Sequence, residues 1–212
     1  MKRAVIFGGA PVIPSEQPPV PEADCYICAD AGVRLAQALG VTPDWIVGDF
    51  DSLGEIPEGS DVAVYPAEKD DTDLILAAKY ALSKGCTELI FYGALGGRLD
   101  HTIANLQMLR MVADAGARGI LVDDRHWVTL QRGGTARYPR REDYFSLFSL
   151  TETCEDVTLE GVAYPLAHGT LSGTFPLGVS NEIIAEEAVV TVGKGDLLVV
   201  FARDPICAKH RQ

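Results

Sequence analysis

The sequence has no apolar run of the ~18 residues that a membrane-spanning helix needs. Its opening, Met1-Lys2-Arg3-Ala4-Val5-Ile6-Phe7, resembles the start of a secretion signal. The apolar part stops at Gly8-Gly9, too soon for a signal core, so the segment reads as a first strand and the chain as cytoplasmic. Basic residues are scarce: 18 Lys and Arg stand against 30 Asp and Glu, a net charge of −12. Nucleic acids and anionic membranes bind through an excess of Lys and Arg, so neither is an expected partner. An anionic substrate then needs a metal ion or locally placed Arg and Lys. Of five cysteines only Cys25 and Cys28 form a C-x-x-C, and Cys86, Cys154 and Cys207 lie far apart. Strand positions three apart face opposite sides, so buried reduced thiols are the better reading than a zinc or redox pair. An odd count fits a reducing compartment. There is no internal repeat and no low-complexity tract.

With 212 residues, 47% of them hydrophobic, the chain can bury one large core or two small ones. Arg3 to Gly9 reads as a buried strand. The segment Ala10 to Glu22 holds prolines at 11, 14, 18, 19 and 21 and is a loop. Further strands are expected over 24–29, 45–48, 61–65, 88–92 and 119–122. Helices are expected over 33–39, from a cap at Asp70, Asp71 or Thr72 to about Lys84, and from His101 to about Ala115. Leu74, Ala78, Ala81 and Leu82 form the second helix's apolar face; Ile103, Leu106, Leu109 and Ala113 form the third's. Strands alternating with helices predict an α/β, mostly parallel, Rossmann-like sheet. Near Asp123 the pattern changes to short alternating runs at 127–131, 144–150, 157–159, 188–192 and 197–202, with turns at Gly133-Gly134, Pro139 and Gly193-Lys194-Gly195-Asp196. The expected organisation is therefore an α/β nucleotide-binding catalytic domain over 1–124 and an all-β sandwich or barrel over 125–212.

Three acidic clusters fall where predicted strands end: Gly48-Asp49-Phe50-Asp51-Ser52, Glu68-Lys69-Asp70-Asp71-Thr72-Asp73, and Gly96-Gly97-Arg98-Leu99-Asp100-His101. In open parallel sheets ligands bind beyond the carboxyl ends of the strands, where Asp30, Asp49, Asp51, Asp71, Asp73 and Asp100 would gather. Converging carboxylates repel one another, and a divalent cation relieves the repulsion. Oxygen ligands without His or Cys nearby suit Mg²⁺ together with phosphate oxygens. Taken singly, each Asp reads better as a helix cap or a turn residue than as a ligand, and Asp73 can simply favour a helix dipole. The case rests on all the clusters together. Gly93-Ala94-Leu95-Gly96-Gly97 follows a strand and precedes a helix, a turn that can bring amides close to phosphate or merely reverse the chain. Arg98 can fork onto phosphate oxygens or pair with a nearby Asp. His101 and Asn105 share a helix face, and a capping or orienting His is a better reading than a base. The expected site is one for a magnesium-bound nucleotide triphosphate.

Taken together, Asp30-Ala31-Gly32, Gly48-Asp49-Phe50-Asp51-Ser52, Lys69-Asp70-Asp71-Thr72-Asp73, Gly96-Gly97-Arg98-Leu99-Asp100-His101, Asn105 and Gly178-Val179-Ser180-Asn181-Glu182 resemble, in order, the motifs of the thiamine pyrophosphokinase (thiamine diphosphokinase) family. The resemblance implies an α/β nucleotide-binding domain followed by a β-sandwich. It implies a homodimer with thiamine at the subunit interface, and a reaction in which ATP and thiamine give AMP and thiamine diphosphate. It places Asp49, Asp51, Asp71, Asp73 and Asp100 on Mg²⁺ and the triphosphate. Asp49, Asp71, Asp73, Arg98 and Asp100 become the catalytic set. Asp30, Lys69, Thr72, Gly96, Gly97, Arg98, His101 and Asn105 become ATP or phosphate contacts, and Asp51, Ser180 and Asn181 thiamine contacts. Ala31 stands where the family usually has Gly, which costs more if that position needs a positive φ. Ile183 and Ile184 follow Glu182 where some members place a Trp to stack on thiamine. Alternatives are pyrophosphoryl transfer to another alcohol such as a pterin, a non-catalytic thiamine or nucleotide sensor, and a sugar or nucleotide phosphatase.

Overall fold

A computed structural model describes residues 1–48, 61–64, 71–141 and 143–204. The chain forms two compact units, Met1–Asp124 and Arg125–Gln212. In the first, apolar runs make β1 (Arg3–Phe7), β2 (Cys25–Ala29), β3 (Trp45–Gly48), β4 (Asp61–Val64), β5 (Glu88–Tyr92) and β6 (Arg118–Val122), in the spatial order β6-β5-β1-β2-β3-β4. The ladders between these neighbours are parallel. Central β1 is inaccessible from Ala4 to Phe7, as a strand covered on both faces must be.

Helices α1 (Gly32–Ala38), α2 (Asp73–Ser83) and α3 (Leu99–Asp114) complete this unit. The α2 cap is Thr72, whose Oγ1 accepts from the Ile75 amide at 3.3 Å. Beyond the end of α2 the chain turns at Gly85, with φ +79°. Helix α3 buries Asn105, Met108, Leu109 and Val112, a spacing that defines one face. Ile103, expected inward, is 48% exposed. The inner face is fixed by Leu109, which fills the space where Gly119 of β6 lacks a side chain: a Cβ there would lie 2.6 Å from Leu109 Cδ2.

The expected fold class, an α/β protein with a mostly parallel Rossmann-like sheet followed by a β-sandwich, is corrected. The chain is 46% strand and 20% helix, and its sheet is mixed. Two physical reasons stand out. A Rossmann-like sheet covers itself with a helix at each crossover, whereas β1 reaches β2 through the proline-rich segment, whose regular structure is one short 3-10 turn at Pro14–Glu16. The strand order also differs from the 3-2-1-4-5-6 of that fold.

In the second unit, β7 (His126–Pro139), β8 (Tyr144–Ser149), β9 (Thr153–Glu160), β10 (Leu166–Ser172), β11 (Gly178–Asn181) and β12 (Glu187–Ala202) pair antiparallel. All are joined through β12, which pairs with β7, β8 and β9, so the strands do not divide into the two separate sheets of a sandwich. The runs 188–192 and 197–202 are one strand, not two. The glycines read as turns mark a register shift between Val192 and Asp196 against β7, with φ +59° at Gly133, +67° at Gly134 and +108° at Gly195. Such an irregularity bends a strand without reversing it. Strands β10 and β11 were not anticipated, since both are largely exposed and carry no clear apolar alternation. The core gathers Phe145, Leu147, Val190, Val199 and Phe201. Among the described residues no helix is long and apolar enough to cross a membrane.

The C-x-x-C does not act as a pair. Cys25 Sγ lies 3.6 Å from Cys86 Sγ instead. Burial pushes Cys28 up to about 12, and burial with the Cys86 contact does the same to Cys25. Only the thiolate is nucleophilic. Cys25, Cys28, Cys86 and Cys154, all buried, are therefore expected to resist an aromatic disulfide reagent in native protein at mildly alkaline pH and to react once it is unfolded. Mass spectrometry of the labelled peptides checks this, and prompt native labelling of Cys25 or Cys28 would contradict it.

Candidate active site

The parallel strands set the site. From central β1 the chain moves to β2 on one side, while β5 lies on the other, so the segments leaving β1 and β5 diverge. A crevice opens at such a switch point, beyond the carboxyl ends of the strands. Here it is a cavity of about 470 Å³. Its walls come from the segment after β1 (Gly8 to Pro11), the end of β2 with Asp30 and Ala31, the start of α2 (Asp71 to Leu74), and the turn after β5 with Gly93, Ala94 and Gly96. Arg98, His101 and Asn105 close it from the leading end of α3.

Two glycines make the crevice possible. Gly8 and Gly93 cross backbone to backbone, so a Cβ at Gly93 would lie 2.4 Å from the Gly8 carbonyl oxygen and one at Gly8 would lie 2.6 Å from that of Gly93. Amide bonds from Gly8 to Tyr92 O (2.8 Å) and from Ala10 to Gly93 O (3.0 Å) hold the crossing. Farther along the same turn, Gly96 and Gly97 have φ +83° and +68°. Asn105, buried on α3, donates from Nδ2 to Ala94 O at 2.7 Å and ties the turn to the helix. The helix begins at Arg98 with no side-chain cap, which leaves leading amides of α3 for solvent or an anion.

The acidic side is built from β2 and α2. Asp30 adopts φ +42°, an uncommon conformation that Asp tolerates better than most residues. Ala31, where the family usually has Gly, has φ −58°, so the methyl group carries no backbone strain. The residue that must be Gly is the next one: a Cβ on Gly32 would lie 1.9 Å from Phe7 O. At the exit of β3, Gly48 packs on Asp30, with an added Cβ 3.2 Å from that of Asp30. Asp71 Oδ2 accepts from Lys79 Nζ, nearly two turns into α2, at 2.6 Å. Arg98 forks onto Asp100, Nε to Oδ1 at 3.1 Å and one terminal nitrogen to Oδ2 at 2.6 Å, while the His101 amide donates to Oδ1 at 3.0 Å. The hydrogen bonds from Arg98, helped by the His101 amide, hold the Asp100 carboxyl below the usual carboxylate range and raise the guanidinium in turn.

Asp30, Asp71, Thr72, Asp73, Gly96, Arg98, His101 and Asn105 thus line one cavity. Gly97 adjoins it in the same turn, and Asp100 is joined to it through Arg98. Asp49, Asp51 and Lys69 lie outside the described residues. Sequence reasoning missed Gly8, Gly9, Ala10 and Pro11; the Gly8-Gly9 pair ending the first strand was the available signal.

Ser180 and Asn181 belong to the second unit. Ser180 has φ +58° and donates its amide to Ser146 Oγ at 2.9 Å. Asn181 is buried, and its side chain grips the Tyr164 backbone: Oδ1 accepts from Tyr164 N at 3.0 Å and Nδ2 donates to Tyr164 O at 2.8 Å. The same Oδ1 accepts from the Glu182 amide at 2.9 Å. The Tyr164 ring so positioned is 73% exposed.

A model of the thiamin pyrophosphokinase catalytic domain matches residues 19–121, and a model of that family's vitamin B1 binding domain matches residues 135–197. The chain belongs to the thiamin pyrophosphokinase family. Thiamine pyrophosphokinase from Bacillus subtilis is 32% identical over 216 residues, covering 96% of this chain and all (100%) of that protein. A crystal structure of the Bacillus subtilis protein superposes with a TM-score of 0.87 at 28% identity, covering 96% of this chain and 100% of its own. One from Geobacillus thermodenitrificans gives 0.82 at 30% identity, covering 98% and 100%. The catalytic-domain match spans every wall of the cavity except the segment from Gly8 to Pro11. The vitamin B1 match contains Tyr164, Ser180 and Asn181. Enzymes of this family use ATP, and such chemistry calls for a divalent cation. Asp30, Asp71 and Asp73 bring carboxylates to the cavity wall, but among the described residues no group of three or more acidic, His or Cys side chains is placed to hold a metal ion.

Proposed function

We propose that this chain transfers a pyrophosphoryl group from Mg-ATP to the hydroxyl of thiamine, giving thiamine diphosphate and AMP. The observation that carries the reading is the cavity: carboxylates, a fork-shaped cation and a glycine-walled turn meet at one sheet edge in a chain of this family. The first unit holds the nucleotide and the second holds thiamine. The thiamine hydroxyl oxygen bonds to the β-phosphorus, the bond from that phosphorus to the α-phosphate's bridging oxygen breaks, and AMP leaves with that oxygen. The hydroxyl proton passes to one of Asp71, Asp73 or Asp100. Asp49, Asp51, Asp71, Asp73 and Asp100 would hold Mg²⁺, which would supply neutralisation of the phosphate charge. Arg98 and Lys69 contact phosphate oxygens. Gly96, Gly97 and the start of α3 receive the triphosphate, with Asp30, Thr72, His101 and Asn105 shaping its pocket.

Asp51, Ser180 and Asn181 serve thiamine, Asn181 by positioning Tyr164. An exposed Tyr164, whose backbone Asn181 holds, suits a thiazolium ring, which an aromatic face attracts as a cation. Tyr164→Ala is expected to raise KM for thiamine about fivefold with kcat nearly held, the worth of one exposed cation–π contact. An unchanged KM would remove Tyr164 from the site. The protein works as a homodimer with thiamine at the subunit interface, in the cytoplasm, where its buried thiols stay reduced; light scattering should give twice 22.8 kDa.

The direct test is AMP formation from Mg-ATP with and without thiamine, with EDTA as the control. Thiamine-dependent, EDTA-sensitive AMP is expected; AMP formed equally without thiamine, or with a pterin alcohol in its place, would overturn the reading. Asp100→Asn should lower turnover well over tenfold while thermal melting stays unchanged, since the side chain is exposed. Near-normal turnover would take Asp100 out of the mechanism.

A further inference from the structure

The proline-rich segment between β1 and β2 is fixed by very little. None of residues 10–22 is buried, so no apolar side chain anchors it in the core. Among the described residues a single hydrogen bond ties residues 11–20 to the rest of the chain: Tyr92 Oη donates to Pro19 O at 3.0 Å. Tyr92 closes β5 and is 2% exposed, its ring 5.7 Å from that of Phe7 on the neighbouring strand. A buried tyrosine hydroxyl needs a partner. Burial pushes this one up to about 12, so it remains a donor through the neutral range. At the other end of the segment Pro11 lines the cavity and lies against Gly97, where a Cβ would sit 2.7 Å from Pro11 Cδ. The chain between these two contacts is stiff. Pro11, Pro14, Pro18 and Pro19 each hold φ at about −65°. The turn at Pro14–Glu16 is closed by bonds from Glu16 N to Ile13 O (3.1 Å) and from Gln17 N to Pro14 O (3.2 Å), and Gln17 Nε2 adds a third to Ile13 O at 3.4 Å.

We infer that Tyr92 is a positioning residue for the nucleotide: by holding Pro19 it keeps the proline-rich segment drawn in as one piece, with Pro11 seated on Gly97 as a wall of the cavity. This rests on the proposed nucleotide site. Two bonds bracket the stretch that the tether controls, Ala10 N to Gly93 O at 3.0 Å on one side and Tyr26 Oη to Pro21 O at 3.2 Å on the other. They act as hinges. When Tyr92 lets go, nothing buried retains residues 11–20, and the Pro11 wall moves with them because the prolines leave the segment few ways to bend in between. Only molecules with the wall in place bind nucleotide at full strength, so the apparent affinity falls in proportion to their fraction. Arg98, Asp71 and Asp73 stand on other elements. The chemical step is therefore unaltered once nucleotide is bound.

The test is Tyr92→Phe, which keeps the ring against Phe7 and removes only the donor. Equilibrium dialysis with Mg-ATP is expected to show binding weakened roughly three- to tenfold, the scale of one lost hydrogen bond, while kcat at saturating ATP and KM for thiamine stay near wild type. Hydrogen–deuterium exchange of the nucleotide-free protein, read by mass spectrometry on the peptide holding Glu16 and Gln17, should become faster. Pro11→Gly attacks the other end of the same segment and should also weaken ATP binding. Both changes release one wall, so the double variant is expected to bind within about twofold of the weaker single variant. Unchanged ATP binding in Tyr92→Phe would overturn the inference. So would weaker binding without faster exchange, since the segment would then not be the carrier, and so would losses that multiply in the double variant. A fall in kcat or a rise in KM for thiamine equal to the loss in ATP binding would overturn it too, by showing a general loosening of the fold. The underlying reading fails separately: wild-type protein that binds ATP yet forms no thiamine-dependent AMP overturns the proposed reaction alone, and wild-type protein that binds no ATP overturns the inference together with the site.

Discussion

Gly93→Ala is expected to lower thiamine-dependent AMP formation by about a hundredfold, the scale on which a misplacement of ~1 Å degrades positioned chemistry. Two effects add. Gly93 has φ +60°, a conformation that costs an L-residue about 1–2 kcal/mol. The larger effect is contact. The new Cβ would lie 2.4 Å from Gly8 O and 2.9 Å from Leu35 Cδ2, so the crossing of the chain after β1 with the chain after β5 has to open. Both strands form the cavity, one through Gly8 to Pro11 and the other through Gly93 to Gly96. Parting them shifts the wall proposed to receive the triphosphate against the wall that carries Asp71 and Asp73. Gly116→Ala separates the causes. It places Ala at φ +74° with nothing within 4 Å of the new Cβ, so it carries the backbone cost alone and should leave kcat/KM unchanged. Equal activities in the two variants would show that the crossing does not set the site.

That crossing also marks where sequence reasoning stopped. Thr72 and Asp73 were readable because a cap and a first-turn acid carry a local signature. Asn105 was readable by its place near the start of a helix, yet its link to Ala94 O joins residues eleven apart that only the turn brings together. The contribution of Gly8 to Pro11 to the same cavity depends on β1 lying beside β5, a pairing between segments some eighty residues apart. Nothing local encodes that neighbour. The fold class failed for a related reason. Alternating strands and helices were taken to imply a mostly parallel Rossmann-like sheet, even though the segment between β1 and β2 reads as a proline-rich loop that supplies no covering helix. In the second unit the signal of Gly193 to Asp196 was real, but a glycine with positive φ serves a bulge as well as a turn, and only the partner strand distinguishes them. Asn181 shows the same limit. Its motif was visible, whereas its task of holding the backbone of Tyr164, seventeen residues earlier, was not.

Phe145→Ala is expected to destabilise the second unit by about 3–5 kcal/mol, the range for removing a large aromatic from a packed core. Phe145 is fully inaccessible. Its ring lies 5.0 Å from that of Phe201 and 5.7 Å from that of Tyr138, so its loss leaves a void lined by two other large rings that rigid strands cannot close. The consequence reaches the residues proposed to serve thiamine through one ladder. Phe145 sits on β8 directly opposite Asn181 of β11, and β11 pairs with β8. Ser146, the next residue, accepts the amide bond that fixes Ser180 at its positive φ. Loosening β8 therefore loosens Ser180, Asn181 and, through Asn181, Tyr164. Urea unfolding followed by Trp127 fluorescence in a Trp45→Phe background should show the lower midpoint, because Trp127 packs edge-on against Phe201 at 5.6 Å. Under conditions where the variant stays folded, its KM for thiamine should rise more than its KM for ATP. Parallel losses for both substrates would mean that β8 supports the fold without positioning the thiamine side.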